Sequence, residues 1–332
     1  MTNNYTFELN TGVKRSKVRF KNRYGIELVG DLYVPENIQG KLAAIPVSGP
    51  FGAVKEQSSG FYANELARRG FVALAFDNSF TGESGGESRD LASPEIFTED
   101  YSAAVDFLGT LEYVDREKIG ALAICGLSGM AITAAINDVR IKAVATTSMY
   151  DMSRSISKGY NDFYTTEDKD RIRIYLAEQR WADVDSGSKA KGPHEISFSE
   201  DGQVVVSNIL PDVIPDFLKD NEVLVAFHNY YKTKRGFHER SVNSTSAWLS
   251  TTPQSFFNFS LMRDLENMKT PLLLVAGEKA HSRYYSEDVA KEAGDNAELV
   301  IIPDSDHVDL YDQKEKIPFD KLENFFRSNL KA

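Results

Sequence analysis

Two side chains that can act as nucleophiles lie within residues 119–131 of this chain. An apolar run typical of a strand ends at Cys125, and an alanine-rich helical pattern begins after Ser128. The pattern therefore predicts a strand, a tight turn and a helix, whose N-terminal N–H groups favour negative charge nearby. A thiol or a hydroxyl at the tip of such a turn can attack an acyl carbon. Both Cys125 and Ser128 remain open as the nucleophile.

A histidine near the C-terminal end of the chain is the candidate general base. His307 lies in a polar loop that follows the apolar run at residues 299–302. An imidazole with a pKa near neutrality can take the proton of a nucleophile and return it to a leaving group. We therefore expect His307 to activate whichever residue attacks.

Short apolar runs that alternate with helical patterns predict the scaffold for these residues. Two alternating segments at residues 17–20 and 26–34 predict an N-terminal hairpin. The later apolar runs are typical of strands buried on both faces, and their alternation with helices indicates a parallel sheet covered on both sides. The predicted strands cover residues 42–47, 71–76, 119–125, 141–147, 271–276 and 297–302, and the predicted helices cover residues 61–69, 95–111, 130–137, 285–293 and 319–330.

Residues 152–267 interrupt this alternation. The segment is rich in charged and aromatic residues and shows one clear helical stripe, through Ile172, Tyr175 and Leu176. We predict a core made of residues 1–151 and 268–332, with residues 152–267 inserted as a cap or lid over the carboxyl edge of the sheet. A second structural subdomain or a dimer surface is the alternative role for the insertion.

Composition and charge exclude several classes of function. The 332 residues include 38 basic and 49 acidic side chains, which give a net charge of −11. This charge argues against nucleic-acid and membrane partners and leaves a small-molecule acyl substrate, with a homo-oligomer also compatible. A single cysteine and the lack of a long apolar segment predict a cytoplasmic protein. No HExxH or CxxC pattern occurs, so we expect no metal or other cofactor.

The order of these segments resembles the α/β-hydrolase fold, and in detail its dienelactone-hydrolase-related branch. The resemblance is carried by residues 48–52, 77–86, 125–129 and 306–310, and it covers nearly the whole chain. It implies a mostly parallel central sheet flanked by helices, and a hydrolase that cleaves an ester, thioester or lactone bond through a nucleophile–histidine–acid triad. The alternative is a non-hydrolytic or catalytically impaired member of the fold, such as a lyase or a small-molecule binding protein.

The family pattern does not decide between the two nucleophiles. It places small residues two positions on either side of the nucleophile, and each candidate has one bulky flank, Leu127 for Cys125 and Met130 for Ser128. The count from the start of the strand favours Cys125, and dienelactone hydrolases have a cysteine there. Serine is the commoner nucleophile across the fold. If Cys125 attacks, its place beside a histidine and a helix start predicts a pKa below that of an ordinary thiol.

The resemblance also implies an acid that orients His307. The family's usual position for this acid falls at Ala280, which cannot serve. We therefore expect either Asp151, just after the strand at 141–147, or Glu278 to hold the imidazole in the required tautomer.

Backbone donors and substrate-binding residues complete the predicted site. One oxyanion donor follows the nucleophile, and the other comes from the loop at 48–52, where Pro50 has no N–H. Aromatic and hydrogen-bonding side chains in the insertion suit a polar organic substrate, and an arginine that follows Glu278 in the core can meet a substrate carboxylate. The predicted oxyanion donors are Phe51, Gly52, Gly126 and Gly129, and the predicted substrate-binding residues are Tyr230, Tyr231, His238 and Arg283.

Overall fold

An eight-stranded sheet forms the centre of the structure, a computed structural model that describes residues 5–205 and 210–331. The strands are β1 (Val13–Lys21), β2 (Glu27–Pro35), β3 (Leu42–Ser48), β4 (Val72–Phe76), β5 (Val114–Ile124), β6 (Ile141–Thr147), β7 (Leu272–Gly277) and β8 (Ala297–Ile302). Their order in the sheet is β1-β2-β4-β3-β5-β6-β7-β8. β1 pairs antiparallel with β2, and β2 with β4, whereas all later pairs in this order are parallel. The mostly parallel sheet predicted from the sequence is confirmed.

Helices cover both faces of the sheet. The helices are α1 (Ser58–Arg68), α2 (Pro94–Leu108), α3 (Ser128–Asn137), α4 (Met152–Lys158), α5 (Thr166–Ser186), α6 (Glu222–Tyr231), α7 (Val242–Thr245), α8 (Pro253–Asn258), α9 (Arg283–Ala293), α10 (Asp309–Asp312) and α11 (Phe319–Leu330). Successive residues of a strand point to opposite faces of the sheet. Leu122 and Ile124 of β5 therefore pack in one core cluster with α1 and α11, while Ala121 and Ala123 pack in the other with α2, α3 and α9.

The predicted strands and core helices are confirmed, with ends that shift by a few residues. The largest shift is in β5, which begins at Val114 and ends at Ile124. Cys125 therefore leaves the sheet as the first residue of the turn that follows. The predicted N-terminal hairpin is also present, and the N–H of Gly25 donates to the carbonyl of Asn22 at 2.9 Å to close its turn.

The segment between β6 and β7 lies outside the central sheet. Its described residues form α4 to α8 and two antiparallel pairs of two-residue strands, Lys191–Gly192 with Trp248–Leu249 and Ser197–Phe198 with Val204–Val205. The predicted helical stripe belongs to α5, where Ile172 and Leu176 are buried. In the described part of the chain no helix is both long enough and apolar enough to cross a membrane.

Candidate active site

Cys125 occupies the sharp turn between β5 and α3. Its backbone φ is +58°, in the left-handed region that is costly for a residue with a side chain. Ser128, by contrast, has a helical φ of −61° and begins α3. A strained residue between a strand and a helix is the feature that presents a nucleophile above the sheet in this type of turn. The backbone therefore presents Cys125, while the Ser128 hydroxyl is buried with no hydrogen-bond partner among the described residues.

The glycine after Cys125 allows this turn to form. A Cβ atom at Gly126 would lie 2.5 Å from the Cβ of Phe51, closer than real Cβ contacts come. Leu127, the bulky flank, is buried in the core instead. In this turn the position that requires a small residue is therefore Gly126, directly after Cys125. Leu127, two positions after Cys125, has room for its large side chain.

Two backbone N–H groups lie beside the Cys125 thiol. Those of Phe51, in the loop after β3, and Gly126, in the turn itself, both lower the pKa of the thiol. The Phe51 nitrogen lies only 3.1 Å from the position of a Cβ at Gly126, so the two residues are adjacent. Gly52 has a φ of +86° and its backbone presses against the insertion, while Gly129 lies inside α3. Of the four predicted oxyanion donors, the structure brings Phe51 and Gly126 together at the sulfur.

His307 is held at both ring nitrogens and through its backbone. Its Nδ1 lies 2.6 Å from the Ser282 hydroxyl oxygen, and its Nε2 lies 3.0 Å from the Tyr311 hydroxyl oxygen. The Ser148 hydroxyl donates to the His307 carbonyl oxygen at 2.7 Å. Because a Cβ at Gly277 would lie 2.4 Å from the carbonyl oxygen of Ser305, only glycine lets the loops after β7 and β8 approach this closely. This approach brings Ser282 to His307.

Tyr311 also lines one cavity together with Cys125, and its hydroxyl lowers the pKa of the Cys125 thiol. Within residues 5–205 and 210–331 no direct hydrogen bond joins Cys125 to His307. We call the bonded side chains Ser282–His307–Tyr311, together with Cys125 beside Tyr311, the hydrogen-bonded chain. All four side chains are buried.

Neither predicted acid contacts His307. Asp151 begins α4, where its Oδ1 accepts hydrogen bonds from the Ser153 hydroxyl at 2.6 Å and the Arg154 N–H at 3.0 Å. Glu278 is exposed, and its Oε2 accepts a hydrogen bond from the N–H of Asp304 at 3.0 Å. The backbone groups that these carboxylates bind hold them away from the imidazole. A serine hydroxyl takes the place of the triad acid.

Burial keeps both reacting groups uncharged. It raises the pKa of the Cys125 thiol to about 11, against smaller lowering effects from Tyr311, Phe51 and Gly126. Burial also holds the pKa of His307 well below 6.5, and the neighbouring His281 lowers it further. The depressed thiol pKa expected from the sequence is therefore wrong, because desolvation outweighs the donors. At neutral pH the pair is a thiol and a neutral imidazole.

A cavity of about 420 Å³ opens onto Cys125. Aromatic and aliphatic side chains dominate its wall, and its polar side chains include His194 and Glu195, which come from the insertion. The Glu195 carboxylate accepts a hydrogen bond from the Ser155 hydroxyl. The lining residues from the core are Pro50, Phe51, Cys125, Tyr150, His281 and Tyr311, and those from the insertion are Met152, Tyr160, His194, Glu195, Leu210, Val223, Leu224, Phe227, Tyr231 and Ser244.

Of the predicted substrate-binding residues, only Tyr231 lines this cavity. Tyr230 is fully buried outside it and packs against Tyr311. His238 is buried beside Arg240, and burial lowers its pKa to about 4. Arg283 forms an ion pair with Glu287 on α9, so its guanidinium is already engaged.

Comparison with known proteins identifies the family. The family model for alpha/beta hydrolases matches residues 48–317. The chain belongs to the alpha/beta hydrolase family. The fold predicted from the sequence, a mostly parallel sheet flanked by helices, is thereby confirmed as the α/β-hydrolase fold. The assignment to the dienelactone-hydrolase-related branch stays a prediction.

Relatives of this α/β hydrolase match nearly all of the chain or a part of it. The uncharacterized protein PA2218 of Pseudomonas aeruginosa is 50% identical over 329 residues, which cover 98% of this chain and 83% of that protein. Its crystal structure superposes with a TM-score of 0.91 at 48% identity, covering 99% of this chain and 98% of the other. The thiohydrolase aneE of Aspergillus aculeatus is 34% identical over 129 residues, 39% of this chain and 40% of that protein.

A more distant structure shares the fold alone. Est1E of Butyrivibrio proteoclasticus with bound ferulic acid has a TM-score of 0.61 at 15% identity, with 95% of this chain and 100% of that chain covered. The match to the alpha/beta hydrolase family model is what supports a hydrolase.

Three residues of this hydrolase site were not assigned roles from the sequence. Ser282 and Tyr311 contact the two ring nitrogens of His307, and Glu195 is the carboxylate in the cavity wall. Tyr311 had a detectable signal, because it lies four residues after His307, the spacing of neighbours on a helix face. The described residues contain no group of three His, Cys, Asp or Glu side chains arranged to hold a metal ion.

Proposed function

We propose that this α/β hydrolase cleaves an ester, thioester or lactone bond through Cys125. The observation that carries the proposal is the position of Cys125: at a left-handed turn, beside the backbone N–H groups of Phe51 and Gly126, and in the wall of the cavity. A cysteine at this position agrees with the dienelactone-hydrolase-related branch, and the thiohydrolase relative supports acyl chemistry. We also propose that the protein acts in the cytoplasm.

The reaction begins from uncharged groups. As the Cys125 sulfur attacks the carbonyl carbon, its proton passes to His307 and the carbonyl electron pair moves to oxygen. The N–H groups of Phe51 and Gly126 stabilise that negative oxygen. When the tetrahedral intermediate collapses, His307 returns the proton to the leaving group and an acyl thioester remains on Cys125.

Water completes the cycle. His307 accepts a proton from a water molecule as its oxygen attacks the thioester carbon. The acid then leaves, and the proton returns to the Cys125 sulfur. Because burial keeps the pKa of His307 well below 6.5, the imidazole is neutral and can act as a base at neutral pH.

The cavity suggests the class of acyl group. Aromatic rings from the core and the insertion form most of its wall, and no lysine or arginine is among the described residues that line it. Such a wall suits a compact, largely apolar acyl group and offers no counter-ion to a substrate carboxylate. We propose that residues 152–267 act as the lid that closes over this group.

A non-hydrolytic small-molecule binding protein is the second candidate. Two observations favour it: His307 has a serine rather than a carboxylate at Nδ1, and burial raises the pKa of the Cys125 thiol to about 11. Such a protein would use the same cavity without forming a covalent intermediate.

One experiment separates these candidates. The protein is mixed with a panel of p-nitrophenyl esters and acyl thioesters of short to medium length, quenched in acid and analysed by mass spectrometry. We expect an acyl adduct on Cys125, and turnover that C125A abolishes while S128A retains it. Adduct formation on Ser128, with loss in S128A alone, would transfer the role to that residue. Neither adduct nor turnover, with substrate bound in the cavity, would support the binding protein.

A further inference from the structure

Tyr311 lies between the proposed nucleophile and the proposed base. Its hydroxyl oxygen is 3.0 Å from the Nε2 of His307. Tyr311 and Cys125 line the same cavity, and the Tyr311 hydroxyl lowers the pKa of the Cys125 thiol. A general base normally contacts the proton that it removes. Here no hydrogen bond joins His307 to Cys125 within the described residues, and the Nε2 of His307 contacts the Tyr311 hydroxyl instead.

We propose that the Tyr311 hydroxyl is a catalytic proton relay, which carries the thiol proton of Cys125 to Nε2 of His307. This inference rests on the proposed function, since it concerns the path of the proton in that reaction. A hydroxyl group suits the role because it accepts one hydrogen bond and donates another at the same time.

The proton transfer from Cys125 to His307 does not require a charged form of Tyr311. As the bond from sulfur to the carbonyl carbon forms, the S–H bond breaks and its proton joins the Tyr311 oxygen. The original Tyr311 proton moves in the same step to Nε2, which becomes an imidazolium. In the reverse direction Nε2 returns a proton to Tyr311, and Tyr311 donates one to the leaving group. Burial holds the pKa of Tyr311 well above 10, so a free tyrosinate is disfavoured and both protons move together.

Ser282 is the positioning residue of this relay. Its oxygen lies 2.6 Å from Nδ1 of His307, where it can accept the Nδ1 proton and so leave Nε2 as the acceptor that faces Tyr311. A carboxylate in place of Ser282 would favour the imidazolium form of His307 in the resting enzyme. Nε2 would then already carry a proton and could not accept one. A neutral hydroxyl orients the ring and leaves the base unprotonated.

The packing around Tyr311 holds its ring in place independently of the hydroxyl. Its ring centroid lies 5.1 Å from that of Tyr230 and 5.4 Å from that of His307. Y311F keeps these ring contacts and removes only the oxygen. A matched control is Tyr285, a buried tyrosine whose hydroxyl has no partner within the described residues and which lies outside the cavity lining.

The test measures the rate of Cys125 acylation by rapid mixing with an activated thioester. Y311F should acylate roughly 10²- to 10⁴-fold more slowly, the usual contribution of a proton-transfer group, while Y285F stays within about threefold of the wild type. In mixtures of H₂O and D₂O the wild-type rate should depend on the deuterium fraction along a curve, because two protons move in one transition state. This second measurement needs no variant.

Two results would overturn the relay. One is acylation of folded Y311F within about threefold of the wild-type rate. The other is a straight-line dependence on deuterium fraction in the wild type, which indicates a single moving proton. Failure of the proposed function is distinguishable from both, because the wild-type enzyme would then form no acyl adduct on Cys125.

Discussion

Two buried polar clusters lie at the carboxyl edge of the sheet, and they differ in charge. The hydrogen-bonded chain around His307 holds neutral groups only. The second, which we call the ionic cluster, comprises Lys55, Glu56, Asp77, Glu83 and Arg240. The Lys55 ammonium is fully buried, at 2.8 Å from a Glu56 oxygen, 3.1 Å from an Asp77 oxygen and 2.5 Å from a Glu83 oxygen.

The ionic cluster holds in place the loop after β3, which contributes Phe51 to the site. Burial alone would lower the pKa of Lys55, but the carboxylates of Asp77 and Glu56 raise it, so the ammonium stays charged. Asp77 accepts hydrogen bonds from the N–H groups of Lys55 at 2.8 Å and Glu83 at 2.9 Å. These bonds hold the loop after β3, which carries Phe51, against the loop after β4.

The comparison shows a division of roles. Paired charges in the ionic cluster hold loops in one geometry, and the proton of the Lys55 ammonium stays on that group. In the hydrogen-bonded chain no fixed charge captures a proton, so the proton can move between sulfur, hydroxyl and imidazole. Variants that introduce or remove charge in either cluster therefore test this division.

The largest effect should come from removing the base. H307A should lower kcat for a turned-over thioester by roughly 10³- to 10⁶-fold, because the proton that leaves Cys125 then has no final acceptor in the proposed mechanism. The control is H228A, at a histidine of α6 that does not line the cavity. Retention of most activity by H307A would exclude His307 as the base.

Removing the buried ammonium should produce the largest loss of stability. K55M leaves the carboxylates of the ionic cluster without their central cation, and should lower the free energy of unfolding by about 3–5 kcal/mol in urea titrations. K17M is the matched control, because Lys17 binds Glu83 from a position that is 46% exposed. Its loss should be at most about 1 kcal/mol. Equal losses in the two variants would show that burial does not set the strength of these pairs.

The sequence predicted the scaffold because local patterns determine it. β4 and β7 are apolar runs buried along their whole length, and the turn at Cys125 joins an apolar strand to an alanine-rich helix. The order of Cys125 before His307 follows from the same elements. These features depend on residues that are neighbours along the chain.

The partner at Nδ1 of His307 could not be predicted in the same way. The expected place for an acid is Ala280, and the residue that reaches Nδ1 is Ser282, because contacts between the loops after β7 and β8 set the path of the chain. The position of Glu195 likewise depends on how the insertion packs over the core. Such contacts join residues far apart in sequence, and periodicity carries no signal for them.

The charge state of Cys125 can be measured directly. Because burial raises its pKa to about 11, the rate of alkylation by iodoacetamide should rise with pH towards a midpoint near that value. An ordinary thiol has its midpoint near about 8.5, so at pH 8 the reaction should be roughly 10²-fold slower than that of a free cysteine. C125A, which lacks the thiol, gives the background. A midpoint below that of an ordinary thiol would show that the site holds a thiolate and that the hydrogen-bonded chain is charged.

Adding a charge to the hydrogen-bonded chain should have a smaller effect. S282D places a carboxylate beside Nδ1 of His307, which raises the pKa of the imidazole by about 1–3 units. A raised pKa means that the base is protonated up to a higher pH, so the acid limb of kcat/KM against pH should move upward. S282A, which removes the partner without adding charge, should leave the limb where it is. An unchanged limb in S282D would show that Ser282 does not face the base during turnover.

The smallest expected effect concerns Glu195, the carboxylate that the insertion adds to the cavity wall. It lies near Tyr150 and Cys125 and further raises the pKa of both. A negative charge in this wall should repel an acyl group that carries its own carboxylate, and E195Q removes the repulsion while keeping the size of the side chain. At an effective dielectric typical of a protein surface, a charge pair several ångströms apart contributes about 1–3 kcal/mol, and solvent at the cavity mouth reduces this energy.

We therefore expect E195Q to raise kcat/KM by about fivefold for a carboxyl-bearing acyl thioester relative to its methyl-ended analogue. E200Q, at an exposed glutamate outside the cavity, controls for the general loss of one negative charge. If the ratio of kcat/KM for the two thioesters is the same in E195Q and the wild type, the acyl group does not approach this wall. The substrate would then contact only the neutral groups of the hydrogen-bonded chain.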